Sequence, residues 1–122
     1  MPRTVPVWRI RDRRTFETLR RHGRRVRRGP ILVTYVPADR GAPARVAYAI
    51  GRRVGSAVAR NRVRRRLRAV VRGLDLAPGA YLIAAGPDAL TADSTDLTEW
   101  AATATHDAMH RPVDRPLEGD ER

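Results

Sequence analysis

Between Arg52 and Arg72 the chain carries nine arginines and no acid: Arg52, Arg53, Arg60, Arg62, Arg64, Arg65, Arg66, Arg68 and Arg72. A guanidinium presents a flat fork of donors that matches a phosphate, and it stays charged at any physiological pH. Asn61, the only asparagine in the chain, stands among them. It can donate and accept, so it suits a phosphate or a 2′-hydroxyl as well as the plain role of an exposed amide. These residue types bind a phosphate backbone; they do not make or break bonds. No catalytic constellation is evident elsewhere: there is no cysteine, no nucleophile motif, and few acids accompany the arginines. His106 and His110 are four apart, the spacing of a helical zinc pair, but residue 107 is Asp and no third ligand is apparent. Surface or packing histidines are the expectation, with no protein-held metal.

The charge is large and unevenly placed. Net charge is +12, and every basic residue is Arg. Residues 1–72 hold 22 Arg against three acids, a net of +19, whereas residues 73–122 hold three Arg against ten acids, a net of −7. A GC-rich genome would explain Arg in place of Lys, but not the crowding of charge into one part. Such a density of one sign repels itself unless a polyanion neutralises it. Nucleic acid is the partner this implies.

The elements that must position these residues follow from punctuation and periodicity. Residues 1–8 read as an irregular arm with Pro2 and Pro6. A helix is expected over about 12–22, capped by Asp12, with Phe16 and Leu19 on one side and Gly23 as its stop. Residues 24–28 read as a basic connector. Ile31 to Val36 is a strand by its β-branched content, residues 37–44 a loop, and Arg45 to Ile50 a second strand. There Val46, Tyr48 and Ile50 share one face, and the small Ala47 and Ala49 would let a helix approach the other. Ser56 caps a helix of about 57–74, ended by Gly73. Residues 80–85 form a third strand, and a last helix covers about 95–110. Residues 111–122 are expected to be a disordered tail. At 100° per residue Val63, Leu67, Val70 and Leu74 form the stripe of the second long helix, with Val71 beside it. Asn61, Arg65, Arg68 and Arg72 lie opposite. Arg62 and Arg66 fall on one shoulder and Arg64 on the other, while Arg60 lies near the apolar side, where its stem can snorkel. An ordinary solvated face would mix signs to gain pairs at i,i+4; here like charges stack at that spacing, at a cost of about 0.2–0.5 kcal/mol per pair.

The run from Ile50 to Arg68, with Gly51-Arg52-Arg53-Val54-Gly55, then Ala57-Val58-Ala59, then Arg60-Asn61-Arg62, resembles the signature of the bacterial ribonuclease P protein family. The likeness extends through Phe16 and Gly23 and covers about residues 8–110. It implies an α+β fold of order α-β-β-α-β-α, a sandwich resembling domain 2 of ribosomal protein S5 with a left-handed βαβ crossover, although crossovers are almost always right-handed. It implies one RNA-binding domain over 1–110. The Arg60-Asn61-Arg62 helix would face a catalytic RNA, and a cleft between the first helix and the sheet would hold the single-stranded 5′ leader of precursor tRNA. Phe16 matches a cleft aromatic, though an aromatic at helical spacing can equally be core. Three positions depart from the family: Arg20 and Thr34 stand where aromatics are common, and Ala85 where Arg is frequent. Phe16, Arg20 and Thr34 are the expected leader contacts.

The resemblance further implies Mg²⁺ held mainly by the RNA, partners limited to that RNA and precursor tRNA, no required protein partner, no membrane and a cytoplasmic location. No apolar run approaches the length of a membrane span, and no apolar stretch of a secretory signal follows Arg3, Arg9 and Arg11. Two other readings remain open: a non-enzymatic ribosomal or RNA-chaperone protein, and a helix-turn-helix DNA reader using 57–74. The second is opposed by the strand that leads into Gly51.

Overall fold

The computed structural model describes residues 7–110; the tail expected over 111–122 and most of the expected arm lie outside them. All six expected elements are present, in the expected order. They are α1 (Arg13–His22), β3 (Ile31–Pro37), β4 (Ala44–Ile50), α2 (Ala57–Arg72), β5 (Gly79–Ala85) and α4 (Ser94–His110). Two edge strands, β1 (Val7–Arg9) and β2 (Arg24–Arg28), add to them, as do a short helix α3 (Asp88–Thr91) and a 3₁₀ turn at Arg52–Val54. The residues expected to be an irregular arm therefore end in a strand, and the expected basic connector is a strand throughout.

One five-stranded sheet has the order β1-β4-β5-β3-β2. β4 and β5 are parallel neighbours joined through α2, a βαβ unit. β3 pairs antiparallel with both β5 and β2, and β1 runs parallel to β4 at the opposite edge. Helices α2 and α4 cover one face and α1 the other. Since β4 feeds directly into the 3₁₀ turn, no helix precedes α2 as a helix-turn-helix DNA reader requires.

The main core lies under α2 and α4. Alternate residues of the strands point into it, among them Ile31, Val33 and Tyr35 of β3 and Val46 and Ile50 of β4. Val63, Leu67 and Val71 meet them from α2, each worth about 1.5–3 kcal/mol when removed from water. From the expected stripe, Val70 and Leu74 are only partly buried against this core. α4 turns Ala101, Ala104 and Ala108 inward, and these short side chains bring its axis close to the sheet. Tyr35 and Tyr81 stack at 4.6 Å, and each hydroxyl donates to a backbone carbonyl, of Pro78 and Ala77 respectively. Burial pushes the pKa of both tyrosines up.

On the other face α1 is held by Leu19, packed with Ile10 and Ala80. Its start is capped as expected: Asp12 accepts from the Thr15 amide at 3.0 Å. Its end comes down on β3 at Gly23, where an added Cβ would lie 2.3 Å from Thr34 Cγ2. Gly23 thus serves close approach as well as termination.

Candidate nucleic-acid interface

α2 begins at Ser56, whose Oγ accepts from the Ala59 amide at 3.2 Å. Just before it, Gly55 sits at φ 143°, and a Cβ there would come within 3.0 Å of Ala59. That conformation folds the 3₁₀ turn back on the helix and sets Arg52 and Arg53 beside its first turn. With Val63, Leu67 and Val71 buried, Asn61, Arg62, Arg65, Arg68 and Arg72 are exposed, as are Arg52 and Arg53. None of the ion pairs among the described residues involves an arginine of 52–72. This surface is open and cationic.

Three arginines of the expected site differ from that pattern. Arg66 is half-buried and donates to the carbonyls of Ala89 (3.1 Å), Leu90 (3.3 Å) and Ala92 (2.6 Å). It satisfies the last-turn carbonyls of α3, which have no partner within that helix. Its guanidinium is turned to the protein, not to the open face, because its shoulder of α2 is the one that α3 and α4 cover. Arg64, on the other shoulder, is half-buried and donates to Asn61 Oδ1 at 2.8 Å. Arg60 is half-buried, as snorkelling requires, and its Nε is enclosed without a partner among the described residues.

Beside α2, on the side away from α4, a groove of about 770 Å³ runs between α2, β4, β1 and the start of α1. Arg9, Arg11, Arg64, Arg68 and Arg72 rim it, and Trp8, Phe16 and Tyr48 supply its aromatic surface. None of its lining residues among those described is acidic. Trp8 is 59% exposed and Phe16 37%. The Arg68 guanidinium lies 5.8 Å from the Tyr48 ring centroid, and burial raises the Tyr48 pKa, which keeps its hydroxyl protonated. Asp12 is already engaged: Thr15 bonds hold its carboxyl below the usual range, and Arg45 pairs with it at 3.1 Å.

Of the three expected leader contacts, Phe16 alone lines this groove, and its exposure removes the core alternative. Arg20 is exposed one turn along α1, where Glu17 stands 3.9 Å away. Thr34, expected as a leader contact, is only 6% exposed, under the contact with Gly23. Sequence reasoning missed Trp8, Arg9, Arg11 and Tyr48. The signal for the first three was present in Trp8-Arg9-Ile10-Arg11, aromatic and basic residues interleaved, but Trp8 fell in the stretch read as an irregular arm and residues 9–11 fell between that arm and the expected helix.

His106 and His110 stack at 4.3 Å, and His110 Nδ1 lies 2.9 Å from the His106 carbonyl. Among the described residues no group of three or more His, Cys, Asp or Glu comes together. Mg²⁺ requires oxygen ligands, usually carboxylates, and residues 40–74 contain none. The donor set of the cationic face therefore does not fit a resident Mg²⁺. Among the described residues no helix is long and apolar enough to cross a membrane.

The Ribonuclease P family model matches residues 6–109. The chain is 38% identical over 121 aligned residues to the ribonuclease P protein component of Thermobifida fusca, covering 91% of this chain and 79% of that one. It is 39% identical over 88 residues to the component of Thermus thermophilus, covering 72% of this chain but 52%, about half, of that relative. Its fold is similar to the ribonuclease P protein of Staphylococcus aureus (TM-score 0.70, 17% identity, 80% of this chain and 91% of the other). It is equally similar to that of Thermotoga maritima (TM-score 0.69, 19% identity, 80% and 94%).

Proposed function

Since the chain belongs to the bacterial ribonuclease P protein family, we propose that it binds a catalytic RNA through the face of α2 and helps that RNA remove the 5′ leader of precursor tRNA. The observation that carries this is the open arginine surface of Arg52, Arg53, Arg62, Arg65, Arg68 and Arg72, which no acid among the described residues pairs. Asn61, with Arg64 bonded to it, adds a fixed polar group for a phosphate or 2′-hydroxyl. Arg60 belongs to the same motif and contributes from the edge of the core.

The protein acts by binding and placement. Each arginine on a phosphate releases counterions and lowers the repulsion between RNA segments that must meet. Holding the leader converts a loose end into a positioned one. Among the described residues no side chain is arranged to move a proton or attack phosphorus, so cleavage is assigned to the RNA. Mg²⁺ held by that RNA would supply the activated water, a role for which the protein's own face has no ligands. Membrane and further protein partners have no part in this scheme, which places the protein with its RNA in the cytoplasm.

The test is cleavage of precursor tRNA by the RNA alone, the protein alone and both together, over a Mg²⁺ series. The protein alone is expected to leave substrate intact, and its addition to lower the Mg²⁺ concentration the RNA requires. An unchanged Mg²⁺ requirement counts against the proposal. Co-purification with ribosomal RNA, in place of one structured RNA of a few hundred nucleotides, would favour the ribosomal or chaperone reading.

A further inference from the structure

Residues 73–110 contain no Arg or Lys, and they hold Asp75, Asp88, Asp93, Asp96, Glu99 and Asp107. Of these, Asp107 is paired with an arginine, Arg28 of β2. The other five are exposed, and no ion pair among the described residues involves them. The cationic part differs: Asp12 is paired with Arg45, and Glu17 stands beside Arg20. Apart from Asp39, the uncompensated negative charge of the described residues is therefore gathered on α3, α4 and the connector after α2.

This acidic surface adjoins the arginine face. α3 and the start of α4 flank α2 on the shoulder that carries Arg62 and Arg66, and Ser94, Leu97 and Thr98 share a cleft with Ala69, Val70 and Leu74. Arg66 is engaged by the carbonyls of Ala89, Leu90 and Ala92, so its charge is held among peptide groups and not against a carboxylate. Packed helices lie about 8–10 Å apart, close to the Debye length of about 10 Å at 0.1 M salt. A phosphate lying over α2 therefore feels the carboxylates of α3 and α4, only partly screened. On the groove side of α2 the arginines continue, with Arg9 and Arg11. On the α4 side a nucleic-acid strand would meet carboxylates and no arginine or lysine of residues 73–110.

We infer that Asp88, Asp93, Asp96 and Glu99 form a repulsive border that confines RNA to one side of α2 and so determines which RNAs the protein holds. An RNA shaped to engage α2 without crossing α4 keeps its affinity. One that must spread over a wider surface loses it. The arginine face alone does not make this distinction, since contacts to phosphate carry no sequence information. Like charges brought together suppress wrong partners and fix orientation. This rests on the proposed function, whose RNA subunit is the partner retained.

The triple variant Asp93→Asn, Asp96→Asn, Glu99→Gln is compared with the parent for binding to the RNA subunit and to an unrelated structured RNA of equal length. The preference for the RNA subunit is expected to narrow roughly tenfold at low salt, through tighter binding of the unrelated RNA. The change should shrink as salt screens these exposed carboxylates. An unchanged preference overturns the inference, and so does an equal gain for both RNAs, which is the effect of net charge alone. Glu99→Gln by itself, beyond the first turn of α4, is expected to narrow the preference less. It keeps the test sound if the triple variant melts early because Asp96 no longer favours the helix start. The chain has no cysteine. Val58→Cys on α2 and Thr103→Cys on α4, both at exposed positions, therefore each give a single thiol for a tethered RNA-cleaving probe. The RNA subunit is expected to be cut from residue 58 and spared from residue 103. Cutting from residue 103 overturns the border, and an absence of cutting from residue 58 removes the proposed α2 face together with it. A parent with no preference for the RNA subunit removes the proposed function as well.

Discussion

Arg65 and Arg66 are adjacent residues of one type with opposite surroundings. Arg65 is exposed and Arg66 caps α3 through three carbonyls. Arg65→Ala is expected to reduce the salt dependence of RNA affinity by about one unit of slope and to leave folding stability within about 0.5 kcal/mol. Arg66→Ala should do the reverse: little change in slope, and a stability loss of about 1–3 kcal/mol as buried carbonyls lose a charged donor. Titrations at several salt concentrations, with thermal melts of both variants, separate the two roles. A lowered slope for Arg66→Ala would return that residue to the RNA surface. On a helical wheel the two arginines differ only in angle. Which angle is covered depends on α3, an element that local pattern did not announce.

Strand β2 shows how an element can be concealed by its own side chains. Arg-Arg-Val-Arg-Arg has one apolar residue, Val26, 2% exposed against the core. The alternation survives in what the arginines do. Arg24 stacks 5.4 Å from the Tyr35 ring centroid, and Arg28 donates to the Asp107 carboxylate on α4. Pairing with β3 supplies the backbone bonds, so tertiary context overrides a composition that reads as loop. The Arg28 bond holds the Asp107 carboxyl below its usual range. A depressed pKa means stability present above the unfolded value, about 3.9, and lost as pH falls through the folded one. Asp107→Asn should therefore lower the melting temperature slightly at pH 7, with the difference from the parent fading as pH drops below about 4. A difference that persists undiminished at pH 2 would show that the pair does not act through charge. Both groups are well exposed, so the effect is small.

At the scale of the whole molecule, the concentration of +19 in residues 1–72 is a standing repulsion that a polyanion relieves. Short single-stranded RNA or polyphosphate is expected to raise the melting temperature, by an amount equivalent to about 2.7 kcal/mol at a hundredfold excess over Kd. A neutral polymer at equal mass should not, and differential scanning in the two media checks this. A melting temperature unmoved by polyanion would mean that the cationic surface is not where folded protein meets phosphate. The amino-acid order by itself determined the six main elements, the caps at Asp12 and Ser56, the apolar stripe of α2 and the class of partner. Each of these follows from local periodicity or from summed charge, which need no knowledge of what lies across the fold. Only the tertiary structure decided that Trp8 meets Phe16 and α2 in one groove, that Thr34 lies under Gly23, and that Arg66 faces inward. Those outcomes depend on which strand takes the sheet edge and which helix shoulder is covered. Contacts between residues dozens of positions apart set both, and no local pattern encodes them.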